Sequence, residues 1–226
     1  MFLLLKYTLL YTVVLMMVAL GGMFSERSGI INIALEGIMV IGGLMGVIAI
    51  QMMPAGASAF SIVLVSVLAA GIAGMLYAGL LAFASINLNA DQTIGGTALN
   101  MLAPALVLFL IRVIANQNTL QMLSGDSASW FMVKKTTLGF ARGADIGFLG
   151  ETFLHKVYFA TYICILIFVI LSVILYKTRF GLRLRACGEN PQAAASLGIN
   201  VVKMRYAGVT ISGALAGMGG FVYAMT

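Results

Sequence analysis

The chain has 226 residues, 62% of them hydrophobic and only 9% charged, with a mean hydropathy of +1.07. A soluble domain carries about 25% charged residues, so this composition excludes a water-soluble globule, and its apolar content excludes a disordered chain. The net charge of +6 is concentrated between Lys177 and Arg205, which suits a cytoplasmic loop of a membrane protein; no nucleic-acid partner is expected.

A membrane helix needs about 20 mostly apolar residues. Six runs approach that length, at 7–24, 28–50, 60–83, 93–115, 158–176 and 206–225. The expected fold is all-α: a polytopic helical membrane protein with about six crossing segments. Residues 1–226 are read as one transmembrane domain, with 177–205 as a cytoplasmic loop inside it. The first run follows Lys6 and holds small residues from Ala19 to Gly22, as a signal peptide would, but its apolar core is long and another span begins at once. It is read as a retained helix.

Counting back five crossings from the basic loop puts the N-terminal end outside, which Lys6 mildly opposes. A sixth crossing, or a re-entrant segment near Gly95 and Gly96 or within 116–156, would reverse that. Trp130, Phe131, Phe140 and Phe148 lie among charges in 116–156 and read as interfacial helices on the outer side.

Residues 25–37 read SERSGIINIALEG. Asn32 and Glu36, four apart, share a face if the segment is helical. Glu36 then stands about 12 Å into a span, where a carboxylate costs about 2.5–3.5 kcal/mol and is normally turned to a cavity or a partner. Either both residues line a solute pathway, or Glu36 is a packing residue bonded to a neighbouring helix.

Residues 85–100 read SINLNADQTIGGTALN, with Asn87, Asn89, Asp91, Gln92 and Thr93 ahead of Gly95, and Asn100 inside the apolar run. An irregular, amide-lined cavity would suit a neutral polar solute such as a sugar or nucleoside. The competing reading is an ordinary inter-helix turn with Asp91 as N-cap. Gly42, Gly43 and Gly46, and Gly213 with Gly217, have the small-residue spacing of close helix contacts, and the fifteen Met are read as packing residues.

In the basic loop, Asn190 can cap a helix, Pro191 fits its first position and Gly198 can end it. A helix over 191–197 is too short to be stable alone, so it must dock. Ala193, Ala194 and Ala195 offer a smooth side for a groove on another protein, with Glu189 near the helix's positive end. A short helix resting on the bilayer, aided by Arg183 and Arg185, is the other reading.

No phosphate-binding loop of the form GxxxxGK[ST] occurs, so ATP hydrolysis of that kind is excluded from this chain. Cys164 in an apolar run and Cys187 in the basic loop lie at different depths, which argues against a disulfide. His155 is the only histidine. No metal site, no cofactor and no enzyme activity are expected.

Three stretches, SGIINIALEG, LNADQTIGGTALN and TRFGLRLRACGENPQAAASLGIN, resemble the permease subunits of bacterial ATP-binding-cassette importers. The branch is that of simple sugars, branched-chain amino acids and purine nucleosides, with nucleoside permeases most similar. The resemblance runs from about residue 10 onward, and GENPQAAASLGIN is its most diagnostic part. It implies a coupling helix seated in a cytoplasmic ATP-binding subunit through Glu189, Asn190, Pro191, Gln192 and Gly198. It also implies a second permease forming a heterodimer, an extracytoplasmic solute-binding lipoprotein, a lipid environment, and a location in the bacterial cytoplasmic membrane.

The resemblance puts Asn32 and Glu36 near the substrate pathway; Asn89, Gln92 and Asn100 are added as amide candidates for the same wall. Members usually continue for several helices beyond the coupling loop, so this chain is read as a fragment, an early-terminated product or a shortened form. An ion-gradient-driven transporter using Glu36 and Asp91, or a non-transporting membrane partner, are the alternative readings.

Overall fold

Lipid offers no hydrogen bonds, so spanning segments must satisfy their backbone internally, and the apolar runs are helical. The structure is a computed structural model describing residues 2–54, 58–115, 132–133 and 157–225. In chain order its elements are α1 (Phe2–Arg27), α2 (Leu35–Gln51), α3 (Ala59–Ile86), α4 (Gln92–Ala115), β1 (Met132–Val133), β2 (Val157–Tyr158), α5 (Phe159–Lys177), α6 (Arg179–Glu189), α7 (Pro191–Ser196) and α8 (Val201–Ala224). The two-residue strands pair antiparallel, Met132 opposite Tyr158. They were not expected, and they leave an all-α membrane fold.

α8 is the centre, packed against α1, α2 and α3. In lipid the hydrophobic effect does not drive helices together, and each atom pair contributes only about 0.1–0.2 kcal/mol of dispersion. Many close approaches are therefore needed, and α8 obtains them by carrying glycine on several sides. Gly217 lies against Gly42 of α2 and Ala70 of α3, Gly213 against Gly74 and Ala78 of α3, and Gly220 against the Met39 backbone of α2. A Cβ on Gly219 would stand 3.0 Å from Val18 of α1. Both expected small-residue motifs thus meet other helices. The outward faces are apolar: Phe60, Leu64, Leu68, Ile72, Leu76 and Leu80 form an exposed stripe along α3. Such a stripe would be an aggregation patch in water and is an ordinary surface in hydrocarbon.

α1, α3, α4 and α8 are each long and apolar enough to cross a membrane; α5 reaches this only together with α6, which bends 67° away from it. The expected second span needs correction. Helix α2 begins at Leu35 rather than residue 28 and has 17 residues, at the short limit of what a crossing takes. Residues 28–34 are non-helical, because Gly29 ends α1. Gly95 and Gly96 lie within α4, so they form no re-entrant segment. The aromatic interval at Trp130, Phe131, Phe140 and Phe148 lies outside the described residues.

The end of α1 meets the end of α6 at Gly188, and Tyr206 at the start of α8 donates to Asn87 Oδ1 after α3 at 2.8 Å. The break, the α3–α4 turn and the basic loop therefore share one end of the bundle, called the basic end below. The N-terminal end of α1 lies at the opposite end, where Tyr11 meets Tyr223 of α8.

Candidate functional site

α1 ends in a turn dictated by Ser25, Ser28 and Gly29. Gly29 takes φ +90°; its N–H donates to the Glu26 carbonyl at 2.9 Å, and the Ile30 N–H donates to the Ser25 carbonyl at 3.3 Å. This is a Schellman end, whose left-handed residue is best served by glycine. Ser25 Oγ donates to the Ile30 carbonyl at 2.7 Å and Ser28 Oγ to the Ser25 carbonyl at 2.6 Å, and both serines are buried.

From here to Leu35 the peptide groups need partners beyond their own helix, and side-chain amides supply several. The Ile31 N–H donates to Gln92 Oε1 at 2.8 Å. The Ile33 carbonyl accepts from Asn100 Nδ2 at 2.8 Å, and the Ala34 N–H donates to Asn32 Oδ1 at 3.2 Å. Asn100 Oδ1 also accepts the Gly37 N–H at 2.7 Å. That is one of the orphan donors of α2's first turn. α2 has no side-chain bond from its own N-cap residue, so a residue of α4 caps it. Asn32, buried, donates through Nδ2 to Ser212 Oγ of α8 at 2.9 Å.

Asn32, Gln92 and Asn100 are thus brought together at the break, spent on holding it. Asn32 and Glu36 do not share a helical face, since Asn32 lies ahead of α2 and is buried. Glu36 is exposed on the first turn of α2, where the helix dipole favours a carboxylate. Asn89 is exposed in the α3–α4 turn with φ +50°. The turn itself is the ordinary one. Asp91 Oδ1 accepts from the N–H groups of Thr93 at 2.7 Å and Ile94 at 3.2 Å. These bonds, Ile94's foremost, hold its carboxyl below the usual carboxylate range.

The basic loop folds as its caps dictate. Asn190 Oδ1 accepts the Ala193 N–H at 3.0 Å, Pro191 opens α7, and Gly198 closes it at φ +79°. The N–H groups of Gly198 and Ile199 donate to the Ala195 and Ala194 carbonyls at 2.9 and 3.1 Å, a second Schellman end. Glu189, Asn190, Gln192, Ala193, Ala195 and Leu197 are exposed. Ala194 is buried in its own chain, so the expected three-alanine docking side is reduced to Ala193 and Ala195.

Loop and break touch through bare backbone. A Cβ on Gly188 would strike the Arg27 carbonyl and stand 3.1 Å from the Gly29 nitrogen. Cys187 beside it is buried, which pushes its thiol pKa up against the pull of the Arg205 charge. Arg185 lies over the Tyr176 ring, 5.3 Å from its centroid. Among the described residues no group of three His, Cys, Asp or Glu side chains could hold a metal ion. Sequence reasoning missed Ser25, Gly29, Gly188 and Ser212. A signal existed for Gly29: a glycine two residues after a basic last-turn residue is a helix stop.

A family model described as the permease component of branched-chain amino acid transport systems matches residues 4–226. The chain is 43% identical to a guanosine ABC transporter permease protein of Bacillus subtilis (strain 168), over 97% of this chain and 66% of that protein. It is 39% identical to a nucleoside ABC transporter permease protein of Lactococcus lactis subsp. cremoris (strain MG1363), over 96% of this chain and 65% of that protein. A putative glucose ABC transporter permease protein of Haloferax volcanii is 30% identical over 96% of this chain and 61% of its own length. This chain therefore spans slightly less than two thirds of the length of these relatives. No solved structure matches it. Its apolar helices make it a multi-pass membrane protein, and the chain belongs to the family of branched-chain amino acid transport permease components.

Proposed function

We propose that this chain is a permease subunit of an ATP-binding-cassette importer that moves nucleosides into a bacterial cell across its cytoplasmic membrane. The observation that carries the reading is the contact of Gly188, at the end of α6 and just ahead of the exposed, doubly capped α7, with the break at Arg27 and Gly29, all at the same end of the bundle. The names of two relatives support the nucleoside class. α7 is the coupling helix, seated in a cytoplasmic ATP-binding subunit by Glu189, Asn190, Pro191 and Gln192, with Gly198 ending it. A second permease completes the pathway, and an extracytoplasmic lipoprotein delivers the solute.

The chain itself makes and breaks no covalent bond; hydrolysis belongs to the partner. ATP-driven closure of that partner displaces α7, and the displacement reaches residues 28–34 through Gly188. Asn32, Gln92 and Asn100 keep the break in shape, while Glu36 and Asn89, which stay exposed, offer polar contacts to a passing solute. Glu189 stands beside α7's positive end, so Glu189→Arg is expected to lower uptake without preventing insertion.

The test is uptake of labelled guanosine by cells making this chain with its partner subunits. Unlabelled adenosine should compete, whereas ribose and leucine should not, and a protonophore at constant ATP should leave uptake intact. Competition by ribose or leucine would refute the solute class, and absence of ATP-dependent uptake would refute the importer.

A further inference from the structure

One face of α8 follows the break residue by residue. Arg205, Gly208 and Ser212 are spaced by three and four, so they lie along one stripe. Ser212 accepts from Asn32 at 2.9 Å. Gly208 faces Ser28, whose Oγ would stand 2.7 Å from a Cβ placed there. Arg205 occupies the basic end of the stripe. A Cβ on Gly29 would lie 3.4 Å from Arg205 Nη2, 3.6 Å from its Nε and 3.2 Å from the Gly188 Cα. Arg205 Nε is buried with no hydrogen-bond partner. A donor left in that state is costly, and such groups call for an explanation. At Arg205 the stripe, the break and the end of α6 come together.

We propose that Arg205 is a positioning residue for coupling, its guanidinium wedged where Gly29 and Gly188 meet, so that displacement of α7 is carried into the break and along α8 to Asn32. The inference rests on the coupling role proposed for α7. The unspent Nε–H gives the wedge two arrangements. With α6 seated, Gly188 covers the Arg27 carbonyl and the Nε–H has no acceptor. With α6 lifted, that carbonyl is uncovered, and the Nε–H gains an acceptor there or in the water that enters. Lysine keeps the charge but lacks the planar group and its Nε–H, so Arg205→Lys restores function only in part.

The experiment uses the whole transporter in vesicles, in a Cys164→Ala background so that Cys187 is the one thiol of this chain. Uptake per ATP hydrolysed is measured alongside the maleimide labelling rate of Cys187. Arg205→Ala is expected to lower uptake per ATP about tenfold and to speed Cys187 labelling, with Arg205→Lys intermediate in both. If Arg205→Ala fails to assemble, Arg205→Lys decides by the same ratio. Uptake per ATP equal to that of the unsubstituted protein overturns the proposal, even if labelling accelerates, because Arg205 then only packs. If the unsubstituted complex shows no ATP-driven uptake, the importer reading falls on its own. The coupling role of Arg205 then falls with it, whereas equal uptake per ATP in a complex that does transport overturns the Arg205 proposal alone.

Discussion

Replacing Asn100 by alanine tests whether α4 holds the broken segment in place. The change strips the Gly37 N–H and the Ile33 carbonyl of their partners; Gly37 is buried and Ile33 half-buried. An orphaned buried group costs about 1–3 kcal/mol. Polar contacts between membrane helices average nearer 0.6 kcal/mol, with a maximum of about 1.7, since the unfolded chain also finds partners in the membrane. Two lost bonds therefore predict a destabilisation of about 1–3 kcal/mol. Asn100→Asp keeps an acceptor for Gly37 but sets an oxygen against the Ile33 carbonyl and brings a charge about 12 Å into α4, so it should destabilise at least as much as Asn100→Ala. Thr97→Ala is the control, because the Thr97 hydroxyl bonds only the Thr93 and Ile94 carbonyls of its own helix; it should stay within about 0.5 kcal/mol of the unsubstituted chain. The assay is reversible unfolding of the purified chain in mixed micelles, followed by helical ellipticity. Equal midpoints for Asn100→Ala and Thr97→Ala would refute the reasoning.

Two glycines separate packing from propensity in the same assay. A Cβ on Gly79 of α3 meets nothing within 4 Å, so Gly79→Ala should stabilise by up to about 1 kcal/mol, whereas Gly217→Ala drives a Cβ into the Ala70 carbonyl and should destabilise. Asp91 gives the pH dependence. Its folded pKa is depressed by the Ile94 and Thr93 N–H bonds, so the cap's contribution is present above the ordinary carboxylate range and is lost as pH falls through the depressed value. The stability gap between the unsubstituted chain and Asp91→Ala should accordingly close in acid, while Asp91→Asn should show little pH dependence from this site.

Much of the helical layout is legible from composition and run length, and the loop helix from its own punctuation. Asn190, Pro191 and Gly198 act within a few residues of one another, so spacing alone places α7. The break is different. Its apolar residues Ile30, Ile31 and Ile33 read as a continuation of the next span, and what permits non-helical backbone there comes from Gln92 and Asn100, more than sixty positions away from the groups they bond. Hydropathy does not register such partners. The same distance hides Ser212 and Gly188, whose roles exist only once α8 and α6 are packed. The amides of 85–100 are unusual for a membrane segment, yet two of them serve the backbone of another segment, a use that residue type alone does not distinguish from binding a solute.

The division of these partners among helices has a mechanical consequence. Gln92 and Asn100 hold the break from α4, Ser212 holds it from α8, and Tyr77 of α3 ties α4 through the Leu99 carbonyl at 2.7 Å. If α4 and α8 part, residues 31–37 must leave one set of partners. Unsatisfied peptide groups are not tolerated in hydrocarbon, so separation requires that water or solute hydroxyls replace what is lost. Parting and hydration then become one event, at the turn of α2 that carries Glu36, already exposed and unsuited to lipid. Water or a hydroxyl group is chemically matched to that exchange, because it can offer both a donor and an acceptor to the vacated backbone.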